Sequence, residues 1–148
     1  MLRIGKLMKI IFAGGRNFTD VDTVYKILIY LIENNIVDSD KKFIGVSGKA
    51  RGADTVFAQE LKKHGILVEE YPAMWSDLGA EPCVVGINNY GDNYNKLAGH
   101  NRNTLMAQNA DLLVCVYNGS AGTKHMIDTM KKLNKPVHIF DYNGLPAH

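Results

Sequence analysis

Three features of the 148-residue sequence predict an α/β fold, a three-layer α/β/α sandwich around a mainly parallel sheet of about five strands. Short, nearly continuous apolar runs recur along the chain. Stretches with helical apolar spacing separate them, and glycine-bearing turns follow three of the runs. Continuous apolar runs suit strands covered on both faces, as in a parallel sheet. Strands alternating with helices imply right-handed crossovers and a doubly wound sheet.

The elements follow in order. Lys9-Ile10-Ile11-Phe12-Ala13 is the first run. Behind the capping candidates Thr19 and Asp20, the residues Val24, Tyr25, Leu28, Leu31 and Ile32 share one helical face. Phe43-Ile44-Gly45-Val46 is the second run, and Ala53, Val56, Phe57 and Leu61 mark a helix stopped by Gly65. Ile66-Leu67-Val68 is the third run. Leu105, Met106 and Asn109 mark a short third helix before the fourth run, Leu112 to Val116. Met126, Ile127, Met130 and Leu133 mark a last helix ending before Pro136, and Val137 to Phe140 closes the series. Apolar stripes at this spacing, the Met and Tyr residues included, read as core. Residues 78–97 are the irregular stretch, rich in turn formers from Asn88 to Asn95. A loop of that length in a compact domain reads as a lid or binding insertion. There is no repeat and no linker, so residues 1–148 read as one domain.

Composition narrows the function. Hydrophobic residues make up 46% and charged residues 22%, ordinary globular usage that argues against disorder or a coiled coil. No apolar run approaches the ~20 residues that span a bilayer, so no membrane association is expected. The segment Met1 to Met8 is basic but has no cleavage pattern of a signal peptide, and Met8 offers an alternative start. Seventeen basic against 15 acidic residues give a net charge of +2, with no basic face to drive nucleic-acid binding. Cys83 and Cys115 stand too far apart for a metal knuckle or redox pair, and Cys115 reads as core. No metal and no cofactor are expected, and the reading is a cytoplasmic protein. The sequons at Asn17 and Asn118 then carry no glycan.

Parallel strands place all their carboxyl ends along one edge, and ligands bind there, where strand order reverses. Four segments lead to that edge. Gly14 and Gly15 after the first run permit close backbone approach, and Arg16 offers donors for phosphate. Ser47-Gly48-Lys49-Ala50-Arg51-Gly52-Ala53-Asp54 presents a hydroxyl, two cations and Asp54, which suits ribose hydroxyls or a helix dipole. Asn118-Gly119-Ser120-Ala121-Gly122-Thr123 opens the last helix and suits an anion at its N-terminus. It matches neither G-x-x-x-x-G-K-[ST] nor G-x-G-x-x-G. Ala98 to Met106 contributes Arg102 and Asn103, with His100 beside them as a surface or capping residue rather than a base. Trp75, in Tyr71-Pro72-Ala73-Met74-Trp75, suits either stacking on a base or packing against the lid.

Together these five segments, spread over residues 8 to 140, resemble the YspA-like branch of the SLOG superfamily. The resemblance implies a Rossmann-like fold and a nucleotide or nucleotide-derivative ligand such as an ADP-ribose-like molecule, sensed or processed. It places Gly14, Gly15, Arg16, Ser47, Gly48, Arg51, Asp54, Asn103, Gly119, Ser120, Gly122 and Thr123 at the ligand and Arg102 beside the glycosidic region. Two related families give the alternatives. LOG phosphoribohydrolases cleave the glycosidic bond of nucleoside monophosphates with an Arg in R-K-x-x-M and a Glu in G-G-x-G-T-x-x-E. Here Arg102 to Met106 keeps the Arg and Met, while Met126 occupies the Glu position, and a thioether handles no proton. The DNA-processing protein A family, binders of single-stranded DNA, carries S-G-x-A-x-G-I-D, which Ser47 to Asp54 resembles. Dimers of LOG enzymes imply a homo-oligomer here.

Overall fold

The computed structural model describes residues 7–38, 40 and 42–147; the basic segment at residues 1–6 lies outside them. In order these form β1 (Met8–Gly14), α1 (Val21–Glu33), β2 (Phe43–Ser47), α2 (Ala53–Lys63) and β3 (Val68–Glu70). There follow β4 (Val85–Ile87), β5 (Asn93–Asn95), α3 (Ala98–Asn109), β6 (Leu112–Val116), α4 (Ala121–Lys132), β7 (Val137–Phe140) and β8 (Pro146–Ala147). The main sheet runs β3-β2-β1-β6-β7-β8, parallel throughout except for β8.

Alternation along the central strands builds two cores. Ile10 and Phe12 of β1, with Leu112, Val114 and Val116 of β6, face α1 and α2. Ile11 and Ala13, with Leu113 and Cys115, face α3 and α4. Successive strand residues point to opposite faces, so unbroken apolar runs supply both layers. Phe57 of α2 packs on Phe12 at a ring-centroid distance of 5.1 Å and is fully buried. Truncating such a residue to Ala costs about 3–5 kcal/mol. On the other face, burial pushes the Cys115 thiol up to about 12.

Helix ends follow the local chemistry. Asp20 caps α1, its carboxylate accepting from the Asp22 N–H at 3.0 Å and from the Thr23 hydroxyl at 2.9 Å. Gly65, at φ +73°, turns the chain out of α2.

Four details depart from the sequence reading. The third strand is Val68–Glu70 rather than the run Ile66 to Val68. Ile66 is buried against the first core from the turn, and the strand's two glutamates are held by lysines at the sheet edge. Lys9 binds Glu69 at 3.0 Å, and Lys49 and Lys62 each bind Glu70 at 3.1 Å. The sheet has six strands rather than five, because Pro146–Ala147 pairs antiparallel with β7, too briefly to leave a pattern. Within residues 78–97, β4 and β5 pair as an antiparallel hairpin. Finally, α3 is as long as α4, 12 residues each; its apolar stripe is weak because polar contacts hold its first half.

Candidate functional site

Strand order reverses between β1 and β6, where Gly14 lies opposite Val116 in register. The loops leaving these two carboxyl ends part to either side and open a cleft of about 510 Å³. Nine of the residues expected at the ligand line it: Gly14, Gly15, Arg16, Asp54, Arg102, Asn103, Ser120, Gly122 and Thr123. Ser47, Gly48, Arg51 and Gly119 do not.

The four that stand back have definable positions. Ser47 is buried, and its Oγ accepts from the Lys49 N–H at 3.2 Å, shaping the turn behind the cleft. The Gly48 carbonyl accepts from Arg102 Nη1. Arg51 is exposed beside the start of α2, and Gly119 leads into α4 at φ +102°. Gly14 needs its missing side chain for packing between strands and helix. A Cβ there would meet the Val116 carbonyl at 2.6 Å and the Ala53 side chain at 2.8 Å. At the N-cap of α2, Gly52 has φ +80° and lies against the carbonyls of Gly15 and Arg16, so both conformation and space require glycine.

The cleft floor carries the charge. Asp54, in the first turn of α2, is 5% exposed, and its carboxylate accepts from the Ala50 N–H at 3.3 Å. Burial raises its carboxyl to about 6, against the opposing pull of the Ala50 N–H and the Arg102 charge. Arg102 faces Asp54 but is fastened elsewhere, Nε donating to Asn103 Oδ1 at 2.9 Å. Burial lowers the pKa of Arg102, and the charge of Asp54 opposes that shift.

Asn103 is the hinge pin between helices. Its Nδ2 donates to the Gly122 carbonyl at 3.3 Å and reaches His125 Nδ1 at 3.2 Å. Since Oδ1 accepts from Arg102, the amide orientation is fixed, and His125 Nδ1 is the acceptor with its proton on Nε2. The His125 ring stacks on His100 at 3.8 Å and 6°. Burial and the His100 charge both lower the His125 pKa.

The last wall is the start of α4. Ser120 sits at the N-cap but makes no side-chain capping bond, donating instead to Thr123 Oγ1 at 2.8 Å. No acidic residue stands in that first turn. The positive end of the helix dipole therefore faces the cleft uncompensated, an arrangement that favours an anion.

Sequence reasoning placed neither Asn17 nor Asn118 at the ligand, although Asn118 begins the candidate anion segment; both line the cleft. Their positions directly after the two central strands were the available signal. Asn17 Oδ1 accepts from the Tyr142 hydroxyl at 2.7 Å. Met126 is 1% exposed in the second core and reaches no cleft surface. Trp75 packs near Tyr94 of the hairpin, ring centroids 6.3 Å apart. Among the described residues, no helix is long and apolar enough to cross a membrane.

A doubly wound, mainly parallel sheet with its cleft at the reversal point defines a Rossmann-like α/β architecture. More particularly, the fold is shared with two solved structures. One is the molybdenum cofactor binding protein of the phototrophic bacterium Rippkaea orientalis, 16% identical at a TM-score of 0.61, covering 93% of this chain and 78% of that one. The other is DNA processing protein A from Streptococcus pneumoniae, 15% identical at a TM-score of 0.65 over 90% of this chain. The match spans 50% of that longer protein. No protein-family model matches the sequence, and neither does any curated protein.

Proposed function

We propose that the protein binds a nucleotide or nucleotide derivative in the cleft between β1 and β6, as a YspA-like member of the SLOG superfamily. The phosphate lies against Arg16 and the free N–H groups of Gly122 and Thr123. The ribose lies toward Asp54, and Arg102 stands beside the glycosidic region. Asn103 positions Arg102, since its amide is already engaged on both sides. The observation that carries this reading is that Arg16, Arg102 and the uncapped first turn of α4 border one cleft. A small-molecule ligand is further supported by the name of a neighbour with this fold, a molybdenum cofactor binding protein.

Binding is favoured over LOG-type hydrolysis because the position of the LOG glutamate holds Met126, which is buried in the second core. A hydrogen bond to a charged group contributes about 1.5–3 kcal/mol. Arg16→Ala therefore weakens binding of AMP or ADP-ribose at least tenfold by calorimetry, while Arg51→Ala, outside the cleft, changes it little. Equal affinity of the wild type and Arg16→Ala refutes the assignment.

A further inference from the structure

Asn95, at the end of β5, is fully buried, and its Nδ2 is the buried side-chain nitrogen left without an acceptor among the described residues. A flip of the amide cannot cure this. Oδ1 already accepts from the Val84 N–H at 3.2 Å and the Leu97 N–H at 2.9 Å, so an exchanged Nδ2 would face two donors. A buried donor without a partner is costly unless something supplies an acceptor.

Asn95 lines a cavity of about 280 Å³ between the segment that follows β3 and the first half of α3, distinct from the cleft between β1 and β6. Tyr71, Met74 and Leu105 contribute apolar surface, and Asp77 stands in the wall. Arg102 lines both this cavity and the cleft, so one guanidinium divides two adjoining spaces. Glu70 also lines the cavity, but Lys49 and Lys62 already pair with it. Asp77 has no ion-pair partner among the described residues. Asp77 Oδ1 accepts from the Gly79 N–H at 3.0 Å, which leaves Oδ2 as its open acceptor. An apolar slot with one fixed donor and one open carboxylate oxygen suits a planar, amino-bearing heterocycle.

We propose that this cavity is the base subsite for a nucleobase bearing an exocyclic amine, of the adenine, guanine or cytosine class. A ring or carbonyl acceptor takes the Asn95 Nδ2, the exocyclic amine donates to Asp77, and the sugar passes Arg102 toward the cleft. The inference rests on the nucleotide reading of the cleft.

Calorimetry with ribose 5-phosphate, AMP, GMP, CMP and UMP tests it. At least one of AMP, GMP and CMP binds tenfold or more tighter than ribose 5-phosphate, and tighter than UMP. Asn95→Asp keeps the Oδ1 acceptor and replaces the donor, so it removes that advantage and leaves ribose 5-phosphate binding as it was. Leu105→Trp, at a position 52% exposed on α3, fills the cavity without entering the core and has the same effect. It decides the matter should Asn95→Asp fail to fold. Nucleotides no tighter than ribose 5-phosphate, or unchanged AMP, GMP and CMP affinities in Leu105→Trp, overturn the base subsite while leaving the phosphate cleft standing. UMP binding as tightly as the amino-bearing nucleotides overturns the part given to Asp77. If neither ribose 5-phosphate nor any nucleotide binds, the nucleotide reading itself fails, and this inference with it.

Discussion

Arg102 donates through Nη1 to the carbonyl of Gly48, fastening the first half of α3 to the turn that follows β2. The contact links both sides of the candidate site across 54 residues of sequence. It depends on a missing side chain, since a Cβ on Gly48 would meet Arg102 Nη1 at 2.7 Å and Asp54 Oδ2 at 2.9 Å. Gly48→Ala must therefore displace the guanidinium or the carboxylate. Overpacking of this kind costs about 1–3 kcal/mol, to be read by chemical denaturation. AMP affinity should fall at least tenfold with it. A variant of wild-type stability and affinity contradicts this close packing.

Asp54 sets a pH dependence of known sign. Its carboxyl is raised from 3.8 to about 6, so the folded state holds its proton more tightly than the unfolded chain. The stability this contributes is complete below pH 3.8 and is lost as pH rises through 6. At 1.36 kcal/mol per pH unit the loss is about 3 kcal/mol. Asp54→Asn should lack it, so the stability difference between variant and wild type widens from pH 4 to pH 7. A constant difference across that range counts against the shift.

The same group should register a phosphate. A phosphate dianion bound at Arg16 and the start of α4 adds negative charge to the cleft that Asp54 shares, and so favours the protonated form of its carboxyl. Calorimetric titration with AMP near pH 6.5, repeated in buffers of different ionisation enthalpy, should show net proton uptake. Asp54→Asn should bind with less uptake. Identical uptake by both proteins assigns the proton elsewhere.

His125 titrates below its ordinary 6.5, because of burial first and the adjoining His100 charge second. The neutral ring contributes stability above pH 6.5 that is lost as pH falls through that value and below it. An NMR titration should place its midpoint under 6.5, and His100→Ala should move it upward. No movement in that variant removes His100 as a cause.

The architecture was legible because its strongest signals are local and redundant. Ile10 to Ala13 and Leu112 to Val116 are apolar at every position, since each supplies two cores at once. The rest of the sheet was harder to read. Val68–Glu70 is an edge strand whose glutamates are neutralised by Lys9, Lys49 and Lys62, partners far apart in sequence. The hairpin was hidden by the turn formers from Asn88 to Asn95. Around the cleft, glycines and cations announce themselves by type and by place after a strand. Arg51 has the right chemistry in the right segment, yet it is exposed outside the cleft. Asn17 and Asn118 have no distinguishing chemistry, and only the juxtaposition of β1 with β6 reveals them.

A sheet that stops on an open strand offers unpaired backbone to any other chain able to dock along it. At one edge the terminal strand is β3, three residues long, with two acidic side chains tied down by lysines on β1, on α2 and in the turn that follows β2. An intruding strand would gain few backbone bonds and would have to strip water from those charges. That border discourages self-association into fibrils, and the insurance is lost if Glu69 and Glu70 are both replaced by valine.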